Sequence, residues 1–141
     1  MNSYAGIPTA GWDTQDSLAY LRSKGVPASK LSFGIGFYGR GWTGVTQSAP
    51  GGSATGGAPG TYEAGTEDYK VLVNSCPVTG LVGGTAYAFC GNNWWSYDTP
   101  ATIASKLAAM KASGNVSGVF IWEANGDTTT GTLISAVYTN R

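Results

Sequence analysis

Histidine is absent from the sequence, and charged residues make up only 11% of its 141 positions. The absence of histidine excludes the ordinary Ser–His and Cys–His nucleophile pairs, and we expect neither a metal site nor a cofactor. Lys and Arg number 8 in total, as do Asp and Glu, so the net charge is zero and no basic stripe is available to bind nucleic acid. Carboxylates, tyrosines and aromatic surfaces are the functional groups that remain.

Long apolar runs and cysteines are also scarce. No apolar run approaches the length of a membrane span, so we expect no membrane partner. Residues 1–13 have neither the basic nor the apolar segment of a signal peptide, and we interpret Met1 as an added or internal start. Cys76 and Cys90 stand on either side of a glycine-rich stretch. They leave two alternatives, one disulfide in an extracellular protein or two buried free thiols.

The first 43 residues have the pattern of a helix followed by a strand. Asp13–Lys24 predicts a helix that begins with Asp13 as its N-cap and stops at Gly25. In Lys30–Phe37, large apolar residues alternate with Ser or Gly, which predicts a strand with one face packed closely against its neighbours. This segment is therefore expected to form one αβ unit.

The middle of the chain differs in composition. Residues 43–60 are rich in Gly, Ser, Thr and Ala without periodicity, which predicts a loop or excursion, with a flexible linker as the alternative. Two short strands, Thr85–Cys90 and Asn93–Tyr97, are predicted around Gly91-Asn92, as in a β-hairpin. Residues 44–97 are thus expected to form a small α+β excursion between two larger units.

A second αβ unit follows the excursion. Pro100, preceded by Asp98 or Thr99 as N-cap, predicts a helix that ends at Gly114. Val116–Trp122 is a continuous apolar run, which predicts a parallel strand buried on both faces. With an amphipathic last helix, the order is helix, strand, excursion, helix, strand, helix. That order indicates repeated βα architecture with a parallel sheet.

Two strand ends carry candidate functional side chains. In βα barrels, function lies at the carboxyl ends of the strands, which here have the sequences FYGRGW and WEANGD. Aromatic rings stack on sugar faces, while Arg, Glu and Tyr hydrogen-bond to hydroxyl and acetamido groups, so these ends suit a carbohydrate cleft. The alternative is structural: Trp42 and Trp122 would be core aromatics. Arg40 and Glu123 would then form a structural ion pair.

Four segments resemble bacterial chitinases of glycoside hydrolase family 18. KLSFGIGFYGRGWTGV is similar to their seventh barrel strand, SGVFIWEANGD to the eighth, PGTYEAGTEDYKVL to their insertion domain, and WWSYDTPATIASKLAAMKASG to the exit and next helix. The similarity spans Trp12 to Asp127. It implies an α/β fold, the C-terminal part of a TIM (β/α)8 barrel that is incomplete and carries a small inserted α+β domain. Residues 1–43 and 98–141 would form the partial barrel units, and residues 44–97 the insertion.

The resemblance also implies a set of substrate-binding residues. Six residues correspond to positions of the family's sugar cleft: Tyr38, Arg40, Tyr62, Glu63, Trp122 and Glu123. Trp122 would form the floor of the subsite for the cleaved sugar. Tyr62 and Glu63 fall where the insertion domain reaches the sugar with a Trp-Glu or similar pair. For Glu123, sugar contact and an exposed barrel-top carboxylate are the two alternatives, and Asp127 is expected to cap a turn.

The family's catalytic motif is missing from these 141 residues. The resemblance implies retaining, substrate-assisted hydrolysis of β-1,4-linked N-acetylglucosamine, in which the Glu of a DxxDxDxE motif protonates the glycosidic oxygen. The sequence contains no such motif, so we assign no catalytic residue and leave open whether the chain is an enzyme. It is expected to be a chitinase-type fragment that supplies the sugar cleft. The alternatives are a lectin-like chitooligosaccharide-binding protein and an inactive structural fragment.

The expected partners and location follow from the same resemblance. Chitin or chitooligosaccharides would be the ligands. Self-association, or a complementing N-terminal barrel portion, would cover the strand edges that an incomplete barrel exposes. The parent protein would be secreted and extracellular.

Overall fold

The computed structural model describes residues 11–141, and the predicted start of the chain lies outside the described residues. The helices are α1 (Thr14–Ser23), α2 (Tyr69–Ser75), α3 (Pro100–Ser113) and α4 (Thr132–Asn140). The strands are β1 (Ser32–Gly36), β2 (Tyr38–Thr43), β3 (Gly56–Gly57), β4 (Thr66–Asp68), β5 (Gly80–Val82), β6 (Thr85–Cys90), β7 (Asn93–Tyr97) and β8 (Gly118–Trp122). No helix within residues 11–141 is both long enough and apolar enough to cross a membrane.

The two apolar strands β1 and β8 form a parallel sheet, as predicted. Their register sets Gly34 opposite Phe120 and Gly36 opposite Trp122. On the other face of β1, Phe33 and Ile35 are buried and join a core that also includes side chains of α1, α3 and α4. Successive strand residues point to opposite faces. The large apolar residues of β1 therefore face the core, and its glycines face the other side of the sheet, which we call the glycine side.

The glycine side of the sheet is exposed, and the prediction that Val116–Trp122 is buried on both faces is wrong. Phe120 is 55% exposed and Trp122 is 68% exposed. In a barrel, inward-pointing side chains are covered by those of the other strands. Within residues 11–141, β1 is the strand that pairs with β8, so the side that carries Trp122 stays open to solvent.

The other six strands of residues 11–141 form a second sheet. Its order is β3-β2-β7-β6-β5, with β4 also paired to β2, and the predicted hairpin forms β6 and β7. The sequence places YGRGWT at a barrel strand end, but this segment is the strand β2 of the second sheet. Close packing explains the difference, because a Cβ at Gly39 or Gly41 would overlap the side chains of Leu72 and Trp95. β2 therefore belongs to the second sheet although it precedes the predicted domain boundary at residue 43.

The glycine-rich excursion packs against the second sheet instead of running free as a linker. Val45 is buried, and its N–H donates to the main-chain oxygen of Asn92 at 3.0 Å. The indole Nε1 of Trp94 donates to the main-chain oxygen of Ser48, also at 3.0 Å. The excursion thus borders the face of the sheet on which Trp94 lies.

Side-chain caps begin α1 and α3 where the sequence predicts them. Asp13 is the N-cap of α1, and its Oδ1 accepts from the N–H of Asp16 at 2.9 Å. Of the two predicted caps of α3, the structure uses Thr99, which exchanges hydrogen bonds with Thr102 in a capping box. Side-chain oxygens here replace the helical partners that the first N–H groups of a helix lack.

A buried ion pair and a disulfide hold the end of the second sheet. Nζ of Lys106 lies 2.5 and 2.7 Å from the two carboxylate oxygens of Asp98, and the two side chains are only 4% and 10% exposed. Cys76 and Cys90 are joined by a disulfide bond. The hydroxyl of Tyr97 donates to the main-chain oxygen of Cys76 at 2.8 Å. The disulfide and the Tyr97 hydrogen bond join β6 and β7 to the end of α2, and the ion pair joins the residue after β7 to the middle of α3.

Candidate functional site

Trp122 lies at the carboxyl end of β8, directly beside the carboxyl end of β1. The N–H of Phe37 donates to the main-chain oxygen of Trp122 at 2.8 Å, and Gly36 is the residue opposite Trp122 in the parallel register. The indole is 68% exposed, so the structural alternative of a core tryptophan is wrong. The two strand ends that the sequence selects therefore meet at one edge.

Tyr38 fills the space over Gly36. A Cβ added to Gly36 would lie 2.8 Å from the Tyr38 ring, so the phenol lies across β1 at the position paired with Trp122. Cζ of Arg40 is 5.4 Å from the centroid of the Tyr38 ring, within the range of a cation–π contact. Trp122, Tyr38 and Arg40 therefore follow one another across a connected surface.

Arg40 and Glu63 are brought together by the antiparallel pairing of β2 with β4, which sets Arg40 opposite Thr66. Nη1 of Arg40 lies 3.5 Å from Oε1 of Glu63 and donates to Oγ1 of Thr66 at 2.6 Å. The Thr66 hydroxyl in turn donates to Oε1 of Glu63 at 2.8 Å. The alternative ion pair between Arg40 and Glu123 is wrong, because the carboxylate partner of Arg40 is Glu63.

The polar groups of this pair stay available to a ligand. The side chains of Arg40 and Glu63 are 57% and 65% exposed. Tyr62, which precedes Glu63, is 68% exposed, and Glu123, which follows Trp122, is also exposed. We name these six residues the cleft surface: Tyr38, Arg40, Tyr62, Glu63, Trp122 and Glu123. Contacts join Tyr38 to Arg40 and Arg40 to Glu63. Along the chain, Tyr62 is next to Glu63 and Glu123 is next to Trp122.

Lys70 ties the second sheet to the loop that follows β8. Its Nζ donates to the main-chain oxygen of Asn125 at 2.6 Å and lies 3.0 Å from Oδ2 of Asp68. The hydrogen bond to Asp68 raises the pKa of Lys70 above its usual value. In the same loop, a Cβ at Gly126 would overlap the main-chain oxygen of Phe37. The loop that carries Glu123 is therefore held closely between β1 and α2.

Two further carboxylates, those of Glu67 and Asp127, accept hydrogen bonds from main-chain N–H groups. Glu67 is buried, and its Oε2 accepts from the N–H and the hydroxyl of Thr61 at 2.9 and 2.8 Å. Asp127 accepts from two N–H groups at the start of α4 at 2.9 and 2.8 Å, so it holds a helix end where the sequence predicts the cap of a turn. These carboxylates hold a loop and a helix end, whereas those of Glu63 and Glu123 are exposed.

Thr66 and Lys70 are site residues that the sequence did not reveal. Thr66 contacts Arg40, which lies 26 positions earlier in the chain, because the two residues are opposite each other in paired strands. Lys70 contacts Asn125, which lies 55 positions later. No local periodicity encodes such pairings. The one local signal is the spacing of three residues between Glu63 and Thr66, which allows their side chains to meet across a tight turn.

Comparison with known proteins gives consistent matches. The model of the family "Glycosyl hydrolases family 18" matches residues 2–127. Chitinase 63 of Streptomyces plicatus is 67% identical over 137 residues, which cover 97% of this chain and 22% of that protein. The catalytic domain of psychrophilic chitinase B from Arthrobacter TAD20 is similar in structure, with a TM-score of 0.88 and 33% identity over 99% of this chain and 32% of that one. Human YKL-39, described as a pseudo-chitinase with retained chitooligosaccharide binding, gives a TM-score of 0.82 and 25% identity over 92% of this chain and 40% of that one.

These likenesses explain the two-sheet arrangement. The chain spans only 22% of the Streptomyces relative and 32% of the Arthrobacter structure, so its paired strands and helices correspond to a part of the TIM-barrel fold with its inserted module. The fold expected from the sequence is thereby confirmed. Because the family match covers most of the sequence and the identity reaches 67%, the chain belongs to family 18 of the glycosyl hydrolases.

Proposed function

We propose that the chain supplies the sugar-binding cleft of a chitinase, which hydrolyses β-1,4-linked N-acetylglucosamine with retention of configuration, and that the general acid lies outside these 141 residues. The observation that carries this proposal is the exposed indole of Trp122 beside the Tyr38–Arg40–Glu63 group. An exposed ring next to fixed donors and acceptors suits a neutral sugar, whose faces are apolar and whose edges carry hydroxyl groups.

Each group has a role that its geometry allows. Trp122 offers a ring face on which a pyranose stacks. Arg40, oriented by the Tyr38 ring and by Thr66, donates to hydroxyl or acetamido oxygens. Glu63, held by Thr66, accepts from hydroxyl groups. Because these contacts orient both charged side chains before the ligand arrives, less conformational freedom is lost on binding.

The proposed cleft is only part of a barrel. Residues 1–43 and 98–141 would supply the barrel units and residues 44–97 the insertion. The exposed side of β8 with Phe120, and the outer edges of β1 and β8, which have no strand partner within residues 11–141, support contact with a complementing N-terminal barrel portion or a second copy. The disulfide between Cys76 and Cys90 supports a secreted location, since such bonds persist in oxidising compartments.

Calorimetric titration with chitotetraose tests the binding role. We expect binding by the 141-residue chain and an affinity at least tenfold lower for Trp122→Ala. Tyr20→Ala, which removes a 61% exposed ring from α1, is the matched control and should bind as the wild type does. A wild-type chain that binds no chitotetraose at millimolar concentration would refute the proposal.

A fluorogenic chitobioside tests where the general acid lies. We expect the pure chain to release no fluorophore, because neither Glu63 nor Glu123, the two exposed carboxylates of the cleft surface, belongs to a DxxDxDxE motif. Clear turnover that is abolished by Glu63→Gln or Glu123→Gln would place the acid within this chain.

A second candidate is a chitooligosaccharide-binding protein without catalysis. It is favoured by the likeness to human YKL-39, which is described as a pseudo-chitinase that retains such binding. Adding a catalytically competent N-terminal barrel portion of a family relative separates the two candidates. Hydrolysis restored by that addition supports the chitinase role, and binding without restored hydrolysis supports the lectin-like role.

A further inference from the structure

A second group of aromatic side chains crosses the six-stranded sheet. Trp42, Trp94 and Tyr87, which we name the aromatic ladder, come from the adjacent strands β2, β7 and β6. The ring centroids of Trp42 and Trp94 are 5.9 Å apart, and those of Trp94 and Tyr87 are 5.4 Å apart with planes inclined by 15°. The three rings thus form one connected run over three strands.

The ladder lies on the outer face of its sheet. The residues that alternate with it, such as Trp95 and Ala88, are buried on the inner face. Trp42 is 44% exposed, and Trp94 and Tyr87 are partly exposed. The hydrogen bond from the Trp94 indole to the excursion holds the central ring in place. An exposed ring that is already immobilised loses little side-chain entropy when a ligand docks on it.

Strand β2 connects the ladder to the cleft surface. Tyr38, Arg40 and Trp42 are alternate residues of this strand, so they project from one face at intervals of about 6.6 Å. The next strand adds a polar group between the two surfaces, because Ser96 pairs with Arg40 on one side and with Tyr87 on the other. A ligand that leaves the cleft surface along β2 therefore meets Trp42 next.

We propose that the aromatic ladder is a further sugar-binding site, which takes the part of a long, uncharged chain of β-linked N-acetylhexosamine that extends beyond the cleft surface. This inference rests on the proposed function, since the ladder continues the same surface. The residues paired with the ladder in the sheet are uncharged: Gly57, Gly80, Phe89 and Ser96. A surface of aromatic faces and hydroxyl groups fits a neutral polysaccharide better than a charged one.

Calorimetric titration of the 141-residue chain with chitobiose and with chitohexaose tests the inference. For Trp42→Leu, which keeps an apolar side chain but removes the ring, we expect the affinity for chitohexaose to fall about tenfold and that for chitobiose to stay as in the wild type. Trp42→Tyr should recover most of the chitohexaose affinity. Tyr20→Leu, at an exposed ring of α1, should bind both sugars as the wild type does.

Near-ultraviolet circular dichroism reports whether Trp42→Leu keeps its fold. If it does not, Tyr87→Leu at the other end of the ladder must give the same length-dependent loss. Equal losses for both sugars, or no loss of chitohexaose affinity, would overturn the inference while leaving the proposed function intact. A shift in sedimentation mass of Trp42→Leu with an unchanged chitohexaose isotherm would show that the ladder serves self-association instead. A wild-type chain that binds neither sugar would overturn both proposals.

Discussion

The ammonium of Lys70 donates a 2.6 Å hydrogen bond to the main-chain oxygen of Asn125, which lies 55 positions further along the chain. Lys70 belongs to α2 beside the six-stranded sheet, whereas Asn125 belongs to the loop that directly follows Trp122 and Glu123. Charge-assisted hydrogen bonds of this kind are stronger than neutral ones. One side chain therefore joins the module that carries Glu63 to the loop that carries the exposed indole.

Removal of this link should weaken sugar binding. For Lys70→Met, we expect a several-fold loss of chitotetraose affinity and faster amide exchange in residues 123–127, because the loop loses its contact with α2. Lys70→Arg, which keeps the charge and the donors, should retain most of the affinity. Exchange measured by mass spectrometry and calorimetry on the same variants checks both effects. Unchanged exchange and affinity in Lys70→Met would show that the loop is held without Lys70.

The ion pair between Arg40 and Glu63 should matter to binding and not to folding. Exposed ion pairs contribute only about 0–1 kcal/mol to stability, and these side chains are 57% and 65% exposed. For Glu63→Gln, we expect the free energy of unfolding in urea to change by less than about 1 kcal/mol, while chitotetraose affinity falls about tenfold, a change of about 1.4 kcal/mol. A large loss of stability with unchanged affinity would identify the pair as structural.

Much of the local structure was predictable because local chemistry decides it. Asp13 and Thr99 cap their helices because a side-chain oxygen can satisfy the first N–H groups wherever a helix begins. Strand β1 alternates between large apolar and small residues, and this period fixes which face is buried. The hairpin of β6 and β7 similarly follows from the Gly91-Asn92 turn.

The errors arose where distant parts of the chain decide the structure. Val116–Trp122 has the composition of a strand buried on both faces, yet burial depends on which other strands cover it, and Phe120 and Trp122 are exposed. The sequence places YGRGWT at a barrel strand end because it follows β1 directly, whereas its partners in the second sheet, β4 and β7, lie far along the chain. The role of Thr66 could not be predicted for the same reason, because its contact with Arg40 depends on the register between β2 and β4.

The buried ion pair between Lys106 and Asp98 should be strongly coupled. Lys106→Met leaves a carboxylate that is 10% exposed without its charge partner, which typically costs about 3–5 kcal/mol. The double variant Lys106→Met with Asp98→Asn should be less destabilised than the sum of the two single variants, because neither charge then remains unpaired. Urea unfolding of the four proteins measures the coupling. Additive effects would show that the pair contributes through packing alone.

Tyr97 should make the protein sensitive to alkaline pH. Burial raises its pKa to about 12 from the usual value of 10.0, with a further contribution from the charge of Tyr69. Because the folded-state pKa is the higher one, the unfolded chain loses its proton first, and the stability that Tyr97 contributes is fully present below pH 10 and lost as the pH rises to 12. Two pKa units correspond to about 2.7 kcal/mol.

The variant Tyr97→Phe separates this titration from the other effects of alkali. At neutral pH it should lose about 1 kcal/mol, because the hydrogen bond to the main-chain oxygen of Cys76 is removed. Between pH 9 and pH 12, however, its stability in urea should decline less steeply than that of the wild type, since a phenylalanine has no proton to release. Tyr20→Phe at an exposed position controls for general effects of removing a phenol. Parallel pH profiles for Tyr97→Phe and the wild type would mean that Tyr97 does not govern the alkaline transition.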